Sequence, residues 1–227
     1  NLKKPLFNTL EGATIKDLIL EDVTLIGGAS KGSLANTAKN ATITNVHVKG
    51  LDMTTGTERC GGIVGDVQAG CTIENSSVTG VKITTSGHIR VAGIAGYMTG
   101  GTIRNCYVEG TIDSKQSKDG NGIGGIVGHA YGTDAQLTIE NCISKVDFNW
   151  TGGGPRLNGG ILGLSQSSNT ILKNNISLAT GTVINKICGS EFDRTSTNNY
   201  ELEESTLVSN ASNNAVKTCL LYTSDAA

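Results

Sequence analysis

The four-residue word T-I-x-N returns along this chain at a nearly fixed interval, and such a repeat limits the possible folds more than any other feature. The copies are Thr14-Ile15-Lys16-Asp17, Thr42-Ile43-Thr44-Asn45, Thr72-Ile73-Glu74-Asn75, Thr102-Ile103-Arg104-Asn105, Thr138-Ile139-Glu140-Asn141 and a degraded Ile171-Leu172-Lys173-Asn174. Their fourth residues are separated by 28, 30, 30, 36 and 33 positions. A second word, GGIVG, stands at 61–65 and 124–128. Looser copies fill the other intervals at Ser33-Leu34-Ala35, Ala92-Gly93-Ile94-Ala95-Gly96 and Gly159-Gly160-Ile161-Leu162-Gly163.

Within one unit the apolar pattern has period two on either side of a single corner. With Ile73, Ser76 and Val78 inward, Glu74, Ser77 and Thr79 point out and Asn75 takes the bend. The same frame places Ile103, Cys106 and Val108 inward in the next unit, and Ile43, Val46 and Val48 in the one before. Asn suits the corner because it tolerates the left-handed backbone that β-branched residues avoid. GGIVG then supplies a third strand. The expected fold is all-β: a right-handed parallel β-helix of about six rungs with three short strands each, in which no rung buries its apolar face alone.

This frame assigns roles to columns. Ile15, Ile43, Ile73, Ile103 and Ile139 form one core column, and Leu34, Ile63, Ile94, Ile126 and Ile161 a second. Asn45, Asn75, Asn105, Asn141 and Asn174 form a ladder of side-chain amides. Val64, Ala95, Val127 and Leu162 follow the inward residue of the third strand, so alternation puts them outside as an apolar contact stripe. Cys106 and Cys142 share one inward position in adjacent rungs and read as small buried thiols. The polar runs 113–121 and 131–135, and the run 150–156 with the single tryptophan, read as loops.

Composition excludes several function classes. With 18 Lys and Arg against 20 Asp and Glu, and no cluster of either sign, the chain lacks the electrostatic footprint of a nucleic-acid binder, and no apolar run is long enough to span a bilayer. Gly120-Asn121-Gly122-Ile123-Gly124-Gly125 fits G-x-G-x-x-G, but a strand follows it where a dinucleotide site needs a helix. His47, His88 and His129 stand apart from one another and from any cysteine, so neither zinc-ligand spacing nor a catalytic triad is present, and no cofactor is expected. The outward acids Glu74, Glu109 and Glu140 are mixed with basic residues and read as a solvated face, and His47 as a surface residue.

Laid out as T-I-x-N-[SC]-x-V-x-G followed by GGIVG, the chain resembles the GLUG-type repeats of large bacterial surface proteins. Pro5 to Leu18, Ala38 to Ile43, Asn174 to Leu178 and Ser196 to Tyr200 extend this. They resemble the non-catalytic N-terminal and middle region of immunoglobulin-A-cleaving zinc metalloproteases of Gram-positive bacteria. The resemblance implies an extracellular, secreted or wall-attached parent whose zinc domain lies elsewhere, and no catalytic or metal-binding position of that domain has a match here. Its implied role is scaffolding or substrate positioning, with other domains of the same polypeptide and a host glycoprotein such as immunoglobulin A as partners. The alternative is a structural or adhesive repeat domain with no protease attached. The expected organisation is a leading segment at 1–7, the β-helix at 8–200, an extension at 201–218, and at 219–227 a sequencing-adapter read-through of the kind found in metagenomic fragments.

Overall fold

The computed structural model describes residues 2–27, 30–115, 122–132, 134–152, 158–181, 187–189, 195–202 and 216–219. Residues 116–121, 133 and 153–156 of the expected loops, 203–215 of the expected extension and 220–227 of the tail lie outside them. The described residues contain strands and turns and no helix, and every strand pairing is parallel. The chain coils as a β-solenoid with two sheets, one of six strands and one of sixteen.

The six-stranded sheet stacks Phe7–Glu11, Ala35–Lys39, Val64–Val67, Ala95–Met98, Val127–Tyr131 and Leu162–Gln166 in register. Six stacked strands make five steps, so the coil completes about five turns, one fewer than the repeat count suggested. The T-I-x-N wall instead reaches a seventh member, because Thr195–Thr197 pairs with Thr170–Lys173 and Asn198 takes the same left-handed corner, φ 50°. Ser196 in the isoleucine position hides this copy from a sequence scan.

Three short strands per rung is also not the observed division. Thr42–Gly61 runs unbroken through the Asn45 corner and a second corner at Gly50, both with positive φ, and Ser77–Ala92 passes through Gly80 in the same way. Pairing with the neighbouring rung persists across these bends, so the backbone ladder is continuous where the side-chain pattern breaks. Asp113, Ser114, Tyr131 and Trp150 likewise end strands rather than open loops.

The core fills the coil. Ile43, Ile73, Ile103 and Ile139 are completely buried, as are Leu34, Ile63, Ile94, Ile126 and Ile161, and Leu172 continues the first column. Ile15 is only half-buried, since the first rung has a neighbour on one side alone.

Candidate functional site

The corner column carries more chemistry than its sequence pattern announces. Asn45, Asn75, Asn105, Asn141 and Asn174 all have φ between 50° and 54°. The amide of Asn45 donates to Asp17 Oδ1 at 2.7 Å, that of Asn105 to Asn75 Oδ1 at 3.1 Å and that of Asn174 to Asn141 Oδ1 at 3.2 Å. Each donation runs from the later rung to the earlier, so the acceptor-only carboxylate of Asp17 suits the first step. His47 is not a free surface residue: its Nδ1 lies 2.8 Å from Ser77 Oγ and its Nε2 2.8 Å from Asn45 Oδ1.

From the third rung on, the next, inward position is polar for a reason, whereas Val46 fills it in the second. Turning the backbone at Asn leaves main-chain groups facing the interior, and buried N–H and C=O groups need partners. Ser76 Oγ donates to Glu74 O at 2.8 Å and accepts from Val46 N at 3.1 Å. Asn175 Oδ1 accepts from Cys142 N at 3.0 Å, and Asn199 Oδ1 from Asn175 N at 2.9 Å. Cys106 and Cys142 are buried thiols, but not plain apolar filler: their Sγ atoms donate to Arg104 O at 3.2 Å and Glu140 O at 3.3 Å. Burial, with Cys106 alongside, pushes the Cys142 thiol well up.

The expected apolar stripe does not exist at the surface. Val64, Ala95, Val127 and Leu162 are all completely buried. Strict alternation requires successive N–H groups to point opposite ways, and here they do not. Ile63 N and Val64 N both donate to Ile94 O, at 3.0 and 3.1 Å, and Ile94 with Ala95, Ile126 with Val127 and Ile161 with Leu162 repeat the arrangement. The isoleucine therefore sits in a bend before the strand, and the next residue is not forced to the opposite face. The closing glycine of each copy lets the strand pass against the preceding rung: a Cβ on Gly96 would strike the backbone of Arg59 and Cys60, and one on Gly65 that of Ser30 and Lys31.

This close passage assembles a cluster that sequence reasoning missed. Asp66, Tyr97 and His129 are successive members of one column in the short sheet. Arg59 and Arg90 pair in register on the segments that pass beneath it. Arg59 Nη1 donates to Asp66 Oδ2, and its guanidinium stands 3.9 Å from the Tyr97 ring centre, with that of Arg90 at 5.3 Å. Arg90 Nε donates to His129 Nδ1 at 2.8 Å, which leaves the ring proton on Nε2, itself buried without a hydrogen-bond partner. Tyr131 stacks on Tyr97 at 6.0 Å, and His129 meets both rings edge-on. Asp66, Tyr97 and His129 are buried, whereas Tyr131 is 49% exposed. One signal was legible: the residue after the closing glycine is Asp66, Tyr97, His129 and Leu164 in successive rungs, while the preceding column keeps glycine throughout.

Chemically, the cluster brings two guanidinium groups and a carboxylate together with stacked tyrosine rings and an imidazole. Burial, then the charges of Arg90 and Arg59, push the His129 pKa down to about 3, so the imidazole stays neutral near pH 7. The nearest thiol, Cys60, is buried against Thr55 and its pKa is raised. The residues do not fit zinc. Two guanidinium groups flank His129, both ring nitrogens of His47 are engaged, and no group of three or more metal-ligating side chains occurs among the described residues.

Comparison with known proteins adds family context. Residues 1–50 match the profile of the M26 IgA1-specific metallo-endopeptidase N-terminal region, and residues 87–113 match the GLUG motif. The chain is 37% identical over 155 residues to an immunoglobulin A1 protease of Streptococcus sanguinis, covering 66% of this chain and 8% of that protein. It is 38% identical over 107 residues to the zinc metalloprotease ZmpC of Streptococcus pneumoniae serotype 4, covering 46% of this chain and 6% of that protein. A solved IgA1 protease structure superposes on 90% of this chain and 17% of its own with a TM-score of 0.65 at 24% identity, which shows the shared fold.

Proposed function

We propose that this chain is a non-catalytic β-solenoid module of a large secreted or wall-attached bacterial metalloprotease of the immunoglobulin-A-cleaving kind, acting as a scaffold that positions substrate or neighbouring domains. The observation that carries the reading is the profile match over residues 1–50. The similar proteases are far longer, with this chain covering about 8% of the first of them. A stack whose side chains are committed to core columns and corner ladders suits a spacer, since each rung rests on its neighbours. Host immunoglobulin A as a partner and an extracellular location follow from the same reading.

Two measurements test it. Purified chain incubated with immunoglobulin A, with and without zinc, is expected to give no cleavage above a no-protein control; turnover would overturn the non-catalytic assignment. Reading the gene beyond Asn210 is expected to find an HExxH motif followed by a distal glutamate. A wall-sorting motif with no zinc motif would move the chain to the adhesive class.

A further inference from the structure

Among the described residues, one cation that packs against the short sheet has no acidic partner. Of the two guanidinium groups meeting at Tyr97, Arg59 has the buried carboxylate of Asp66, while Arg90 has only the uncharged imidazole of His129. None of the five ion pairs among the described residues includes Arg90. Three hydrogen-bonding atoms of the cluster, Arg59 Nε, Asp66 Oδ1 and His129 Nε2, are also buried without a partner. A half-buried cation lacking its counter-ion is a cost that packing alone does not explain, because an apolar residue would fill the same space without it. Next to Arg90 the surface opens onto Tyr131, whose exposed ring stacks on Tyr97 beside exposed Gln166.

We propose that Arg90, Tyr131 and Gln166 form a binding site for an acidic sugar, with Arg90 taking the carboxylate and Tyr131 the apolar face of the pyranose ring. A guanidinium fork matches a carboxylate in shape and charge. An exposed aromatic ring beside an amide matches a ring with one apolar face and hydroxyls at its rim. An acidic peptide fits less well, because an extended peptide takes much of its affinity from free main-chain groups at a sheet edge. Here Val127–Tyr131 is an interior strand, paired on one side with Ala95–Met98 and on the other with Leu162–Gln166. The site does not depend on the scaffold reading, since it uses only side chains of this chain.

The experiment is a titration of the purified full chain, followed by amide chemical shifts, with glucuronic acid and N-acetylneuraminic acid, and with glucose and a glutamate-rich peptide as controls. Saturable shifts centred on residues 129–131 and 166 are expected for the sugar acids and not for glucose. Arg90→Gln should weaken binding about tenfold or more, and Tyr131→Ala severalfold, with the unfolding midpoint of the exposed Tyr131 variant unchanged. If Arg90→Gln fails to fold, Arg90→Lys, which keeps the charge and loses the fork, takes its place with the same expected direction. The proposal is overturned if the sugar acids do not bind, if glucose binds equally, if the substitutions leave affinity unchanged, or if the glutamate peptide binds more tightly.

Discussion

At the scale of single residues, the corner explains why the repeat reads T-I-x-N followed by Ser, Cys or Asn. From Asn75 onward the residue after the corner closes an inward carbonyl or N–H, whereas Val46 keeps that position apolar and its N–H is met by Ser76 of the next rung. Cys106→Ser, which copies Ser76 one rung earlier, should therefore cost less than about 1 kcal/mol in urea unfolding, and Cys106→Val about 1–3 kcal/mol because it leaves Arg104 O without its donor. His129 makes a second prediction. Its folded pKa, about 3, lies below the ordinary value of 6.5, so the unfolded chain binds the proton more readily. The stability this group contributes is complete above about pH 6.5 and is lost as pH falls toward about 3. Urea midpoints at pH 7 and pH 4.5 should differ more for the wild-type chain than for His129→Gln. Equal differences would remove His129 as a source of acid sensitivity.

At the scale of elements, the short sheet is where alternation gave the wrong face. Glycines on both sides of Ile63 let the chain bend before the strand begins and then pass tightly against the rung before it. Val64→Lys should consequently cost several kcal/mol, since a charge would enter a completely buried position without a partner. Urea melts check this, and an unchanged midpoint together with better solubility would restore the surface stripe. The outward face of the long strands behaves differently. There Lys145 meets Glu109 at 2.8 Å and Arg104 meets Glu74 at 2.6 Å, both near the surface, where such pairs hold register and add little net stability.

At the scale of the whole molecule, a solenoid's stability is close to a sum of rungs and their contacts, so position along the stack decides what a substitution costs. Ile103, completely buried with neighbours on both sides, should lose about 2–5 kcal/mol on replacement by Ala. Ile15 should lose clearly less, because it is half-buried and paired only toward Ile43. Among the described residues, four of the five exposed large apolar side chains, Leu6, Phe7, Ile19 and Ile26, belong to that same first rung. Hydrogen exchange should accordingly be fastest there and slowest around Thr102 to Val108. A uniform exchange pattern would contradict the rung-by-rung picture.

Periodicity alone determined the parallel coil, the two isoleucine columns and the asparagine corners, because in a stacked repeat each position meets its own counterpart and one-dimensional spacing becomes three-dimensional contact. Tertiary structure decided what depends on contacts between unlike positions. The bend at Ile63 buried a residue that alternation placed outside, and the corner carbonyls gave Cys106 and Cys142 their partners. The passage of one rung beneath the next brought Arg59 and Arg90 to Asp66, Tyr97 and His129. These contacts join unlike positions, so an alignment of the units against one another, which sets like on like, does not display them. Their energies come from burial and from charge placement, which a spacing pattern does not record.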